Sequence, residues 1–125
     1  MHKTYTIFAF IWTCLVIALS LVDLSDVKAE SIAIPHKDKI VHFIFYSVLT
    51  FLWAMAFNSS YKSKYSQQLI IVVICVLLGM IIEVLQGYAG FNRSFEWLDI
   101  ITNTIGAIFG YLICMKIRNF KPRNS

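Results

Sequence analysis

The sequence predicts an all-α polytopic membrane protein, a bundle of four transmembrane helices with both termini on the cytoplasmic side. Three observations predict it. Of 125 residues, 58% are hydrophobic and only 14% charged, against about 25% charged in ordinary soluble domains. The apolar residues gather into four long runs, and the basic residues are shared unevenly between the intervening segments. A water-soluble domain of this length buries only about two-thirds of its surface, so the surplus of apolar side chains would be left in water. With five glycines and two prolines, collagen-like, linker-rich and disordered architectures are excluded as well.

A membrane-crossing helix takes about 20 mostly apolar residues, within a range of roughly 17–25. The first candidate runs from Thr4 to Val22. A secretory signal cleaved after Ala29 competes for this stretch, because Lys3 precedes it and Val27-Lys28-Ala29 follows. The run is longer than the roughly 7–15 residues of a usual signal, and Asp23 and Asp26 separate it from the cut, so a retained span is expected. The second span covers Ile40 to Phe57 and the third Leu69 to about Tyr88. The fourth, roughly Ile100 to Met115, is short. It is expected either to extend through Trp97 and Leu98 or to sit in a locally thinned bilayer.

Four spans put both termini on one side, with Lys3, Lys62, Lys64, Lys116, Arg118, Lys121 and Arg123; the other side holds Lys28, Lys37, Lys39 and Arg93. The richer side is assigned to the cytoplasm. The basic residues form no aromatic-interleaved patch, so nucleic acid is not an expected partner. Cys14, Cys75 and Cys114 lie far apart inside apolar runs and read as buried small hydrophobes. Trp12, Trp53 and Trp97, with Tyr5, Tyr61 and Tyr65, read mostly as lipid-facing or interfacial anchors.

The polar residues inside the spans are the informative exceptions. Gly79, Glu83, Gln86 and Gly90 follow i, i+4, i+7, i+11 spacing, which places them on one helix face, and Asp99, Asn103, Gly106 and Gly110 repeat it. The small residues at Gly79, Gly106 and Gly110 suit close helix packing. Span three runs outward and span four returns, so Glu83 and Gln86 share a depth with Asp99 and Asn103. Span two begins at the same depth with Asp38, Lys39 and His42, Asp38 and His42 being i, i+4 neighbours, and Arg93 lies between spans three and four. Charged groups in hydrocarbon are costly, so they are expected to face each other or a wet cavity on the extracytoplasmic side.

The motifs Asp38-Lys39-Ile40-Val41-His42, Glu83-Val84-Leu85-Gln86, Arg93, Asp99-Ile100-Ile101-Thr102-Asn103 and Gly106, in this order, resemble the VanZ-like family of small bacterial membrane proteins. The resemblance runs from about Asp38 to Gly110 and implies a four-helix protein of the bacterial cytoplasmic membrane, built as a single domain over residues 1–125. The family is named for a member that gives resistance to the lipoglycopeptide-type antibiotic teicoplanin, which implies a role in the cell envelope outside that membrane.

On this reading the outer polar residues bind or modify an amphiphilic envelope ligand, such as a lipid-linked precursor or a lipoglycopeptide, among ordinary membrane lipids. Arg93 and Lys39, or Lys37, would hold a phosphate or carboxylate, with Asp38, Gln86 and Asn103 as further polar contacts. Glu83 or Asp99 would serve as acid or base with His42 as the titrating partner. No nucleophile elbow, HExxH or phosphate loop is present, so no reaction type follows from motif. A divalent ion on Asp38, His42, Glu83 and Asp99 is chemically possible, but one histidine and dispersed carboxylates are a weak signal, and neither metal nor cofactor is expected. The alternative is a non-catalytic structural or partner-binding protein whose polar cluster locks helix packing. Transport is a third class, disfavoured by four short helices with no inverted repeat.

Overall fold

The computed structural model describes residues 2–21, 37–57, 65–88 and 96–120. They form four helices, α1 (His2–Leu21), α2 (Lys37–Ala56), α3 (Tyr65–Tyr88) and α4 (Trp97–Phe120). All four are long and apolar enough to cross a membrane. The fourth resolves the choice left by its short apolar run: it starts at Trp97 and continues past Met115 to Phe120, about 36 Å at 1.5 Å per residue. Glu96 stands at its start, its carbonyl accepting the Asp99 backbone N–H. Asp99 in the first turn and Arg118 in the last complement the helix dipole.

Around the bundle the order is α1, α2, α4, α3. The α2–α4 interface is the most extensive, α2 and α3 also meet across the short diagonal, and α1 and α4 do not touch among the described residues. The interior is built from Val16, Tyr46, Leu49, Ile71, Cys75, Ile82 and Ala107. Yet no more than 39% of any span is buried by protein. Ile7 and Phe8 on α1, Ile74 and Ile81 on α3, and Ile105 and Leu112 on α4 face outward, which is stable only where hydrocarbon covers them.

The glycines of α4 set its distance from α2. A Cβ on Gly106 would lie 2.6 Å from the Phe43 carbonyl oxygen, and one on Gly110 would overlap the Ser47 carbonyl oxygen. The backbones therefore meet directly, as the small-residue spacing predicts. Gly79 on α3 instead makes room for side chains, Tyr46 of α2 and Asn103 of α4.

Four hydroxyls in the spans are satisfied locally. Thr13, Ser47, Thr102 and Thr104 each donate to the carbonyl four residues earlier, which spares hydrocarbon an unmatched donor. Two tryptophans depart from the anchor reading. Trp12 donates through Nε1 to the Phe45 carbonyl, and Trp53 donates to Thr13 Oγ1. Both indoles join α1 to α2, because an indole N–H inside a bilayer needs a partner. Trp97 is 72% exposed at the start of α4, as an interfacial residue would be. Cys75 and Cys114 are buried, but Cys14 is exposed on the outer side of α1, correcting the expectation that all three are interior.

Candidate functional site

The polar residues converge where α2 and α4 begin and α1 and α3 finish. His42 lies five residues into α2, Glu83 five residues before the end of α3, and Asn103 six residues into α4. At 1.5 Å per residue these are depths of about 7–9 Å below the helix ends, with Asp99 one turn shallower than Asn103. Depth and helical phase agree because each residue sits on the inward face of its helix. Relative exposures are 6% for His42, 0% for Glu83, 7% for Asp99 and 2% for Asn103.

Three helices contribute to the centre. His42 Nδ1 is 3.0 Å from Asn103 Oδ1, a hydrogen bond joining α2 to α4, and 3.9 Å from Glu83 Oε1 on α3. One donor atom each from His42, Glu83 and Asp99 lies within 4.8 Å of the other two. With Asn103 Oδ1 accepting, the bond needs the proton on Nδ1.

Lys39 closes the group toward the helix ends. Its Nζ is 3.2 Å from Glu96 Oε2 and 3.6 Å from Asp99 Oδ1. The Glu96 side chain is 49% exposed and that of Asp99 10%, so the lysine spans from the bundle surface to the buried carboxylate. Sequence reasoning singled out Lys39 but not Glu96 as its partner, since a link across 57 residues leaves no local signature.

Tyr46, one turn after His42, was also missed. It is fully buried, its hydroxyl has no hydrogen-bond partner among the described residues, and it lies within the field of the Glu83 carboxylate. The i, i+4 spacing from His42 could have found it, but a tyrosine in an apolar run reads first as core.

Gln86 takes a different place from Glu83. Its amide donates to the Ser20 carbonyl at the end of α1, so its donor side is used to hold α1 against α3. Arg93 and Gly90 lie outside the described residues, and the Asp38 side chain does as well; only the helical position of Asp38 in α2 is given.

An apolar groove of about 300 Å³ runs between α2 and α4, lined by Phe43, Ile44, Ser47, Phe51, Phe109 and Ile113. Its α2 residues are rotated by 100° or more from His42 at about 100° per residue. The groove therefore opens toward lipid rather than into the polar centre.

A family model described as VanZ/LLP1 matches residues 3–119, which adds α1 and most of the end of α4 to the stretch from Asp38 to Gly110 that carries the motifs. No curated protein and no solved structure matches the chain. The length of the match, together with four membrane-spanning helices, shows that the chain is a multi-pass membrane protein of the VanZ/LLP1 family.

Proposed function

We propose that this chain binds, and in the fuller version modifies, the polar head of an amphiphilic cell-envelope ligand at the extracytoplasmic end of its bundle in the bacterial cytoplasmic membrane. The observation that carries the reading is the buried meeting of His42, Glu83 and Asp99 from three helices. Burying two carboxylates at one level of a membrane bundle opposes folding unless the site repays it in function. The basic residues, richer at the opposite end, support this choice of side.

Lys39 supplies a cation at the mouth, and Arg93, in the segment between α3 and α4, is a second candidate for an anionic head. An anion reaching Lys39 would compete with Glu96, its exposed partner, in a contact weakened by solvent and salt. Any proton moved at the site falls to Glu83 or Asp99, with His42 as the partner. A lipid-linked precursor or a lipid-tailed glycopeptide fits this division between a charged head and hydrocarbon, and a teicoplanin-resistance role follows from the second. The alternative is a structural or partner-binding protein, favoured by the His42–Asn103 bridge, which by itself joins α2 to α4.

The test is complementation of a deletion strain with wild type, Glu83→Gln, Arg93→Ala and Asp99→Asn, reading envelope lipids and lipoglycopeptide susceptibility with membrane abundance measured for each. Variants that accumulate normally and fail to complement support a working site, and the lipid that changes names its substrate. Full complementation by all three refutes it in favour of scaffolding.

A further inference from the structure

We infer that His42, Glu83 and Asp99, with the amide oxygen of Asn103, form a site for one octahedral divalent cation of the Mn2+ class. The inference deepens the proposed function and rests on it in taking this buried group as a working site.

Spacing is the first support. Around an octahedral ion with donors at about 2.1 Å, adjacent donors are about 3.0 Å apart and opposite ones about 4.2 Å. His42 Nδ1 and Asn103 Oδ1 are 3.0 Å apart, and His42 Nδ1 and Glu83 Oε1 are 3.9 Å apart. The three ionisable donors lie within 4.8 Å of one another, so a small side-chain rotation closes the set. On binding, the imidazole proton passes from Nδ1 to Nε2 and the lone pair on Nδ1 meets the ion, with no net change in protonation.

Charge is the second. Among the described residues this end of the bundle carries the carboxylates Glu83, Asp99 and Glu96 against the ammonium of Lys39. Glu83 and Asp99 are the two buried carboxylates that a divalent cation would take as ligands. The third, independent support is Tyr46. Its hydroxyl is fully buried without a hydrogen-bond partner among the described residues, beside Asn103 at Gly79 and in the field of Glu83. A water completing the ion's shell would give that hydroxyl a partner.

Donor chemistry selects the ion. Three oxygen donors suit a hard ion such as Mn2+, the single imidazole disfavours Mg2+, which keeps to oxygen and water, and ions that prefer thiolate find no such ligand here. The four protein donors leave two positions of an octahedron open. A phosphate or carboxylate on an amphiphile could fill them.

The experiment uses the full chain in lipid nanodiscs, stripped with chelator and titrated with MnCl2 while the paramagnetic resonance signal of free Mn2+ is recorded. One ion per chain is expected. Asn103→Ala should weaken binding by at least the roughly 10–100-fold lost when a ligand's outer-shell partner is removed, and Glu83→Gln or Asp99→Asn by more than that. Circular dichroism and the Trp12 and Trp53 fluorescence verify that each variant keeps its fold. A wild-type chain that leaves the free Mn2+ signal unchanged overturns the inference, as does binding that survives in a folded Glu83→Gln/Asp99→Asn double variant. Displacement of Mn2+ by equimolar Mg2+ overturns the assignment to the Mn2+ class. Ion binding by a chain whose variants still complement sustains this inference and refutes the proposed function. Complementation lost in the variants of a chain that binds no ion does the reverse.

Discussion

Adding one methyl group at Gly106 or Gly110 is expected to push α2 and α4 apart and break the His42–Asn103 bond one or two turns away. A Cβ at Gly106 would stand 2.6 Å from the Phe43 carbonyl oxygen, 3.2 Å from its Cα and 3.3 Å from its carbonyl carbon. These are backbone atoms, so no rotamer relieves the overlap. Carbon and carbonyl oxygen at helix interfaces come no closer than about 3.3–3.6 Å, so the interface must widen by roughly 0.7–1 Å. Gly110 faces the Ser47 carbonyl still more closely. The His42–Asn103 bond spans the same interface at 3.0 Å, and widening of this size carries it beyond about 3.6 Å, where it is no longer a hydrogen bond.

Two energies of opposite sign compete. Helix propensity favours Gly→Ala by up to about 1 kcal/mol, whereas overpacking costs about 1–3 kcal/mol and the lost interhelical bond about 0.6 kcal/mol. The net is a destabilisation of roughly 1–3 kcal/mol. Gly106→Ala with Gly110→Ala should cost less than the sum of the two, because one displacement relieves both overlaps. Gly79→Ala is the internal control: its Cβ would meet the Asn103 Nδ2 and Tyr46 ring atoms at 3.1 Å, side chains with some room to move, and it should cost less. Steric trapping in bicelles measures the stabilities, and nitrogen NMR of His42 reports the bond. Gly106→Ala or Gly110→Ala at wild-type stability with an unchanged His42 signal would refute direct backbone contact.

Three further outcomes follow from other contacts. Trp53→Phe and Thr13→Val should show a coupling of about 0.6 kcal/mol, and at most about 1.7 kcal/mol, in a double-mutant cycle, since the indole of α2 bonds the α1 hydroxyl; strict additivity would count against that bond. Gln86→Leu removes the donor to the Ser20 carbonyl, so amide exchange near the end of α1 should quicken while the α2–α4 interface stays protected, and unchanged exchange there would argue against the clamp. A green fluorescent protein fused at the C-terminus should fluoresce, whereas alkaline phosphatase fused after Leu21 should be active. The reversed pair of signals would place the polar cluster in the cytoplasm and remove the basis for an extracytoplasmic ligand.

Helical phase made the inward face of each span legible. Glu83, Asp99, Asn103 and His42 were assigned to one depth, and all four are buried together. Which helix each face meets was not legible, because it depends on packing order around the bundle. The Gly106 and Gly110 stripe lies on α2, and Gln86, on the same face of α3 as Glu83, reaches α1 instead. The tryptophans show a second limit. Their composition and position suit an interfacial anchor equally well, and only the presence of Phe45 O and Thr13 Oγ1 opposite makes Trp12 and Trp53 interhelical donors.

The polar contacts of this bundle divide into two kinds, and the division bears on what the cluster is for. Away from the cluster, helices are joined by neutral groups, each making one bond: Trp12, Trp53 and Gln86. Those contacts show that locking helices here requires no charge. Carboxylates are buried only at Glu83 and Asp99 among the described residues. Holding an ionised carboxylate at this depth in a membrane bundle is costly. Glu83→Gln keeps the shape and removes that cost. Stability equal to or above wild type is therefore expected for Glu83→Gln, together with loss of complementation, the usual exchange at a working site. If steric trapping instead shows Glu83→Gln markedly less stable, the carboxylate is part of the lock and the functional reading of Glu83 falls.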